Sequence, residues 1–135
     1  MSDENIHVLQ PADWPRPKGY SNGMMARGRV VVVAGQVGWD NTGVFRSSTT
    51  AGQARQALEN VVAVLAAGGA KPEHIMSMNW YVTDLDEYRS QRAEIGAHYR
   101  AIIGKHFPAM TLVQVAGLLE RDARVEIEAL AIVPD

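Results

Sequence analysis

The nine residues Val125-Glu-Ile-Glu-Ala-Leu-Ala-Ile-Val133 decide the fold class. Side chains alternate across a strand, so Val125, Ile127, Ala129 and Ala131 share one side while Glu126, Glu128, Leu130 and Ile132 share the other. The first set suits a protein core. The second mixes carboxylates with large aliphatic side chains, which suits a subunit interface better than bulk water. Working back from this strand, Glu120-Arg-Asp-Ala-Arg124 is a polar turn and Thr111 to Ala116 a further strand. Pro108 forbids helix and Gly104 ends one, which the pattern starts near Asp84 and runs to about Ile103. Asp84 caps it, and the carboxylates of its first turn suit the helix dipole.

Lys71-Pro-Glu-His74 opens a short connection into a strand from Met76 to Val82. Before it, Ala54, Ala57, Leu58, Val61, Val62 and Leu65 recur at helical spacing, with Gln53, Arg55, Gln56 and Glu59 opposite. Thr50 is the expected N-cap, and Gly68-Gly69 the stop. Further upstream, Met24-Met25, a turn at Arg27-Gly28-Arg29 and the valine run Val30 to Val33 read as a hairpin. A continuous valine run predicts protein on both faces of that strand. Asp40-Asn-Thr-Gly43 is a turn, and residues 1–18, with three of the six prolines, read as an irregular entry. The order strand, strand, helix, strand, helix, strand, strand predicts an α+β two-layer fold: one domain over 1–135, with a mixed sheet of about six strands and two helices on one face.

Composition narrows the function. The chain has 135 residues, no cysteine, and 13 lysines and arginines against 15 acidic residues, a net charge of −2. Without cysteine there are no disulfides, thiolate nucleophiles or cysteine metal sites. The charge balance gives no footprint for nucleic acid. No apolar run, the valine stretch Val30 to Ala34 included, nears the ~20 residues that span a membrane, and the polar opening Met-Ser-Asp-Glu-Asn is not a secretory signal. The expectation is a soluble cytoplasmic protein.

No phosphate loop or dinucleotide fingerprint is present, and Gly35-Gln-Val-Gly38 leads into no helix. His7, His74, His98 and His106 lack ligand spacing, so no metal is expected. Ser47-Ser-Thr-Thr50 reads as loop and cap rather than nucleophile. Trp39, Trp80 and Tyr81 are either core or cleft lining. Glu126 and Glu128 allow two readings: pairing with arginines such as Arg27, Arg29, Arg121 or Arg124, or general acid/base chemistry in a buried setting.

The order of segments resembles a known family. Lys18-Gly-Tyr-Ser21, Val33-Ala-Gly-Gln-Val-Gly38, Gln56-Ala-Leu-Glu-Asn-Val61, Val64-Leu-Ala-Ala-Gly-Gly69, Tyr81-Val-Thr-Asp-Leu85, Phe107-Pro-Ala109, Val113-Gln-Val-Ala-Gly-Leu118 and Val125-Glu-Ile-Glu-Ala129 resemble successive blocks of the Rid (YjgF-like) family. The resemblance implies a chorismate-mutase-like/YjgF-like fold, a homotrimer with clefts between subunits, a small-molecule enamine or imine as ligand, and no cofactor. Active members hydrolyse such intermediates to keto acids and ammonia. An arginine holds the substrate carboxylate, a glutamate handles water and a tyrosine walls the cleft.

Matched residue by residue, Tyr20 takes the tyrosine's place, Gly35 that of a turn glycine and Glu126 that of the glutamate. The family's Pro-Ala-Arg is here Pro108-Ala109-Met110, and a position often held by cysteine is Leu112. Losing a bidentate arginine–carboxylate contact costs ~2–5 kcal/mol. Two expectations follow. Either the cleft hydrolyses a larger or more apolar enamine whose carboxylate is absent or held elsewhere, with Gln114 as a polar contact beside Met110 and Leu112, or the chain is a non-catalytic trimeric binding module.

Overall fold

The computed structural model of the protein describes residues 6–135, so the polar N-terminal pentapeptide lies outside the described residues. Six strands are present: β1 (Ile6–Leu9), β2 (Gly23–Ala26), β3 (Arg29–Val37), β4 (Ile75–Val82), β5 (Ala109–Gln114) and β6 (Val125–Val133). The helices are α1 (Thr50–Ala67), α2 (Leu85–Ser90) and α3 (Arg92–Ile102), with a 3₁₀ turn at Pro72–His74. None of these helices is long and apolar enough to cross a membrane. The α+β class is as the sequence predicts, but the six strands divide into a four-stranded sheet, β3-β6-β4-β5, and a separate β1-β2 ribbon. In the larger sheet β6 is antiparallel to both neighbours while β5 runs parallel to β4.

The expected β2–β3 hairpin does not form. β2 pairs with β1, and β3 with β6 in a register that sets Arg29 opposite Val133. Gly28 explains the separation. It has φ of +151°, and a Cβ there would lie 2.1 Å from the Val133 carbonyl oxygen, so the chain turns tightly around the end of β6 and enters the main sheet beside it.

The alternation read from β6 is the burial seen. Val125, Ile127, Ala129, Ala131 and Val133 are buried, and the residues between them are partly open. The buried set meets Ala51, Ala54, Ala57, Leu58, Val61 and Leu65 of α1, with Ile95 and Tyr99 of α3 completing one core. Alanines on the inner stripe let α1 approach the sheet closely. The valine run of β3 is covered on one side alone: Val33 is buried, whereas Val30 and Val32 are 59% and 71% exposed. α1 and α3 pack on the other face of the sheet, which leaves those two valines on an open surface beside Leu130 and Ile132, their partners across the ladder.

Two helix termini differ from expectation for a shared reason. The N-cap of α1 is Thr49, whose side chain accepts from Gly52 N, rather than Thr50. The expected second helix breaks at Gln91 (φ −106°, ψ 12°) into α2 and α3. At that break, the Gln91 amide oxygen accepts from Ala51 N at 2.7 Å, while Glu87 of α2 accepts from Thr50 N at 2.9 Å. The first amides of α1, which have no partner inside their own helix, are thus met by side chains of the neighbouring segment. Asp84 caps α2 as expected, accepting from Glu87 N at 3.0 Å. Gln53, placed by the periodicity on the polar face, is instead 1% exposed.

Candidate functional site

The residues singled out in the sequence gather on two faces of the four-stranded sheet. On the open face, Glu126 sits opposite Tyr81, and Glu128 opposite Asn79. The two carboxylates differ in their surroundings. Glu128 accepts from the Tyr81 hydroxyl and from Asn79 Nδ2, the latter at 3.3 Å. That contact pushes the Tyr81 hydroxyl above its ordinary pKa, because ionising it would set two negative charges together. Glu126 has no hydrogen-bond or salt-bridge partner among the described residues. Of the arginines considered as partners, Arg124 pairs with Glu87 at 3.4 Å and the others make no ion pair with either carboxylate.

Gly35 completes this cluster. A Cβ at position 35 would stand 2.3 Å from Glu126 Oε2, so the glycine leaves the room that the carboxylate occupies. The ladder between β3 and β6 shifts register between Val33 and Gln36, which puts the irregularity at the same place. Bulges of this kind re-aim backbone and side chains beside functional groups.

On the helical face, Tyr20, Met110 and Leu112 line a cavity of about 390 Å³ between α3 and β5. The parallel register sets Met110 beside Met78 and Leu112 beside Trp80, so both point toward the helices. Ser21, next to Tyr20, donates its backbone N–H to the Pro108 carbonyl at 3.0 Å and so ties the N-terminal segment to the start of β5. Gln114 shares the face of Met110 and Leu112 but lies beyond the cavity: its side-chain oxygen accepts from Leu85 N at 2.9 Å, anchoring the start of α2.

The cavity wall also carries three cations that the reading of the chain did not select: Lys18, Arg92 and Arg100. No carboxylate among the described residues lines it. Arg92 stands close enough to Tyr88 for its charge to oppose the upward push that burial gives that hydroxyl. A signal existed in the sequence, since Arg92, Gly96 and Arg100 are four residues apart and share one helix face.

A second, larger cavity of about 670 Å³ lies between the loop at Phe45–Ser48 and the turn before β6. Its polar groups are largely committed to the fold. Gln53 bonds three backbone groups there, Arg46 pairs with Asp40 at 2.8 Å and Arg124 with Glu87. The histidines have local roles: His106 Nε2 lies 2.7 Å from the Ile75 carbonyl, His74 accepts from Lys71 N, and His98 pairs with Glu94.

Residues 14–133 match the family model described as Endoribonuclease L-PSP. The chain is 38% identical over 109 residues to the 2-iminobutanoate/2-iminopropanoate deaminase of Salmonella typhimurium, covering 78% of this chain and 80% of that one. Among solved structures, the Rid-family protein YyfB of Yersinia pestis, of unknown function, superposes with a TM-score of 0.84 at 28% identity, covering 96% of this chain and 99% of the other. The YjgF gene product of E. coli, at a higher 33% identity, gives a TM-score of 0.66, covering 93% and 98%. The backbone therefore follows YyfB more closely than the sequence identities alone suggest.

Proposed function

The chain belongs to the Rid (YjgF-like) family, and on that footing we propose that it is an enamine/imine hydrolase of the deaminase type. Its substrate is one other than a small 2-imino acid, and its site is a cleft between subunits of a cytoplasmic homotrimer. The observation that carries this reading is the contrast between the two carboxylates. Glu128 is held by Tyr81 and Asn79, whereas Glu126, beside Gly35, has neither oxygen engaged by any of the described residues. A carboxylate held only for structure has partners, as Glu128 does; one free to accept a proton does not.

In the proposed reaction the oxygen of water bonds to the imine carbon while Glu126 accepts the water's proton. The same carboxyl returns that proton to nitrogen, giving a carbinolamine; it then takes the proton of the new hydroxyl and passes it to nitrogen, so that the C–N bond breaks, the C=O bond forms and ammonia leaves. Imine and water thus give carbonyl and ammonia, with no redox change and no cofactor. Tyr20, Met110 and Leu112 bind the rest of the substrate.

Glu126 and the cavity lie on opposite faces of one chain's sheet. They meet at one substrate only if Glu126 of one chain faces the cavity of another, which is the support for a shared cleft. The open sheet face, with Val30 and Val32 exposed, offers apolar surface for such packing.

Specificity follows from Met110 and Leu112. With no cation at position 110, a small 2-imino acid loses its carboxylate contact and gains little from an apolar wall, whereas a bulky side chain gains burial. We expect ammonia release from 2-imino-3-phenylpropanoate, made in situ from phenylalanine by an amino acid oxidase, to exceed that from 2-iminopropanoate by ~10-fold or more in kcat/KM. Met110→Arg should raise activity on 2-iminopropanoate by ~10-fold or more. Equal activity of the wild type on both imines, unchanged by Met110→Arg, contradicts the assignment of position 110.

A further inference from the structure

The cavity on the helical face carries more than a substitution at position 110. α3 presents Arg92, Gly96 and Arg100 along one stripe, and all three line the cavity, with Lys18 reaching it from the N-terminal segment. None of the three cations has a salt bridge or side-chain hydrogen bond among the described residues. Arg46, Arg55, Arg89 and Arg124 each have a carboxylate within 4 Å; Arg16, Arg27, Arg29 and Arg121 have none either among the described residues, so what sets Arg92, Arg100 and Lys18 apart is that they converge on one cavity.

Gly96 has an identifiable part. It sits inside an eleven-residue helix, where glycine is less favourable than alanine. Beyond its own helix backbone, a Cβ there would meet Arg100 Nη1 alone among the described residues, at 3.3 Å. The missing side chain therefore lets the guanidinium lie back along the helix over the cavity, toward Arg92. The floor below is apolar and aromatic, formed by Met110, Leu112, Phe107 and Trp80. Trp80 is 3% exposed and belongs to the core, so the floor is continuous with the packed interior.

We propose that Arg92 and Arg100, with Gly96 between them and Lys18 opposite, form an anion clamp that holds the carboxylate of a substrate whose bulky apolar or aromatic side chain rests on the Met110–Leu112 floor. The inference rests on the cavity being the substrate site of the proposed hydrolase, and it supplies the carboxylate contact that Met110 cannot make. Guanidinium groups suit the task because they stay charged and offer paired donors to a carboxylate. Their placement on α3 rather than on β5 lengthens the distance from carboxylate to sheet, leaving room for a large side chain over Met110.

The test measures binding apart from turnover. Phenylpyruvate, the stable carbonyl counterpart of the phenyl imine, is titrated into the full-length protein by calorimetry and tryptophan fluorescence, beside phenylacetone, which has the same ring and no carboxylate. We expect Arg92→Ala and Arg100→Ala each to weaken phenylpyruvate binding by ~10-fold and the double variant by ~100-fold. Phenylacetone binding should stay unchanged in all three. Gly96→Leu should weaken phenylpyruvate by displacing Arg100, and Arg100→Lys should recover part of the loss. Both arginines are exposed, so the fold is unaffected, as circular dichroism will show.

Wild-type affinity for phenylpyruvate in the double variant overturns the clamp, whatever the turnover results. Equal losses for phenylacetone also overturn it, because the arginines would then act through packing rather than charge. If carboxylate binding depends on the arginines but no imine is hydrolysed, the clamp stands and the proposed hydrolase activity fails.

Discussion

Glu126→Gln should lower kcat on 2-imino-3-phenylpropanoate by ~10²–10⁴-fold while leaving the fold and phenylpyruvate affinity intact. The range is that of losing a positioned general base. Glutamine has nearly the shape of glutamate, and the Glu126 side chain makes no hydrogen bond or salt bridge among the described residues, so the substitution breaks no structural contact. It also respects the space beside Gly35, where a carboxamide fits as the carboxylate does. The companion variant Glu128→Gln is the control. It weakens a structural contact with Tyr81 and Asn79, so its effect should appear in thermal stability before it appears in turnover. Comparable kcat losses in the two variants would mean that the sheet face acts as a unit and that Glu126 has no special part.

The largest expected loss of stability lies at Gln53. Its amide Nε2 donates to the carbonyls of Ser47 at 3.0 Å and Asp122 at 2.8 Å, and its Oε1 accepts from Arg124 N at 2.7 Å. The side chain thereby joins the first turn of α1 to the turn that feeds β6, two residues before Glu126. Gln53→Leu nearly keeps the volume but leaves three backbone groups beside the larger cavity without their partner, at ~1–3 kcal/mol each before relaxation and rehydration. We expect a total of ~3–5 kcal/mol by denaturant titration and a Tm lower by on the order of 10 °C. Gln56→Leu, which removes only a bond to Asn60 on the same helix, should cost about 1 kcal/mol or less. A Gln53→Leu protein as stable as the wild type would mean that the loop at Ser47 and the turn at Asp122 find their partners elsewhere.

What the sequence made legible depended on how far each signal reached along the chain. The faces of β6 were readable because alternation needs only the geometry of a single strand, and the burial matches it residue by residue. The core stripe of α1 was readable for the same reason, as were the stops at Gly69 and Gly104, both at positive φ. The β2–β3 hairpin was misread because its apparent turn, Gly28, packs against Val133, a contact set by residues more than a hundred positions away. Gln53 looked like surface because its partners come from residues 122 and 124. Both faces of the valine strand looked covered because a run of valines reads alike whether one face is packed or two, and in the structure Val30 and Val32 lie open.

The candidate site divides in the same way. Tyr20, Met110 and Leu112 do meet in one cavity, and Gly35 does meet Glu126. Gln114 has a structural task at Leu85 instead. Arg92 and Arg100 escaped selection although their spacing is regular, because choosing them requires knowing which stripe of α3 borders the cavity.

The central claim is that Glu126 of one chain acts on substrate held in the cavity of its neighbour, and mixed oligomers test it directly. Glu126→Gln removes the carboxylate, and Gly96→Trp fills the cavity from a position where a Cβ, beyond its own helix backbone, meets only Arg100 among the described residues. Each homo-oligomer should be inactive on 2-imino-3-phenylpropanoate. After unfolding and refolding together in equal amounts, cyclic trimers of random composition should regain about a quarter of wild-type activity, because every mixed trimer contains one interface with an intact carboxylate facing an intact cavity. Ammonia release at that level supports the shared site; mixtures as inactive as either parent contradict it.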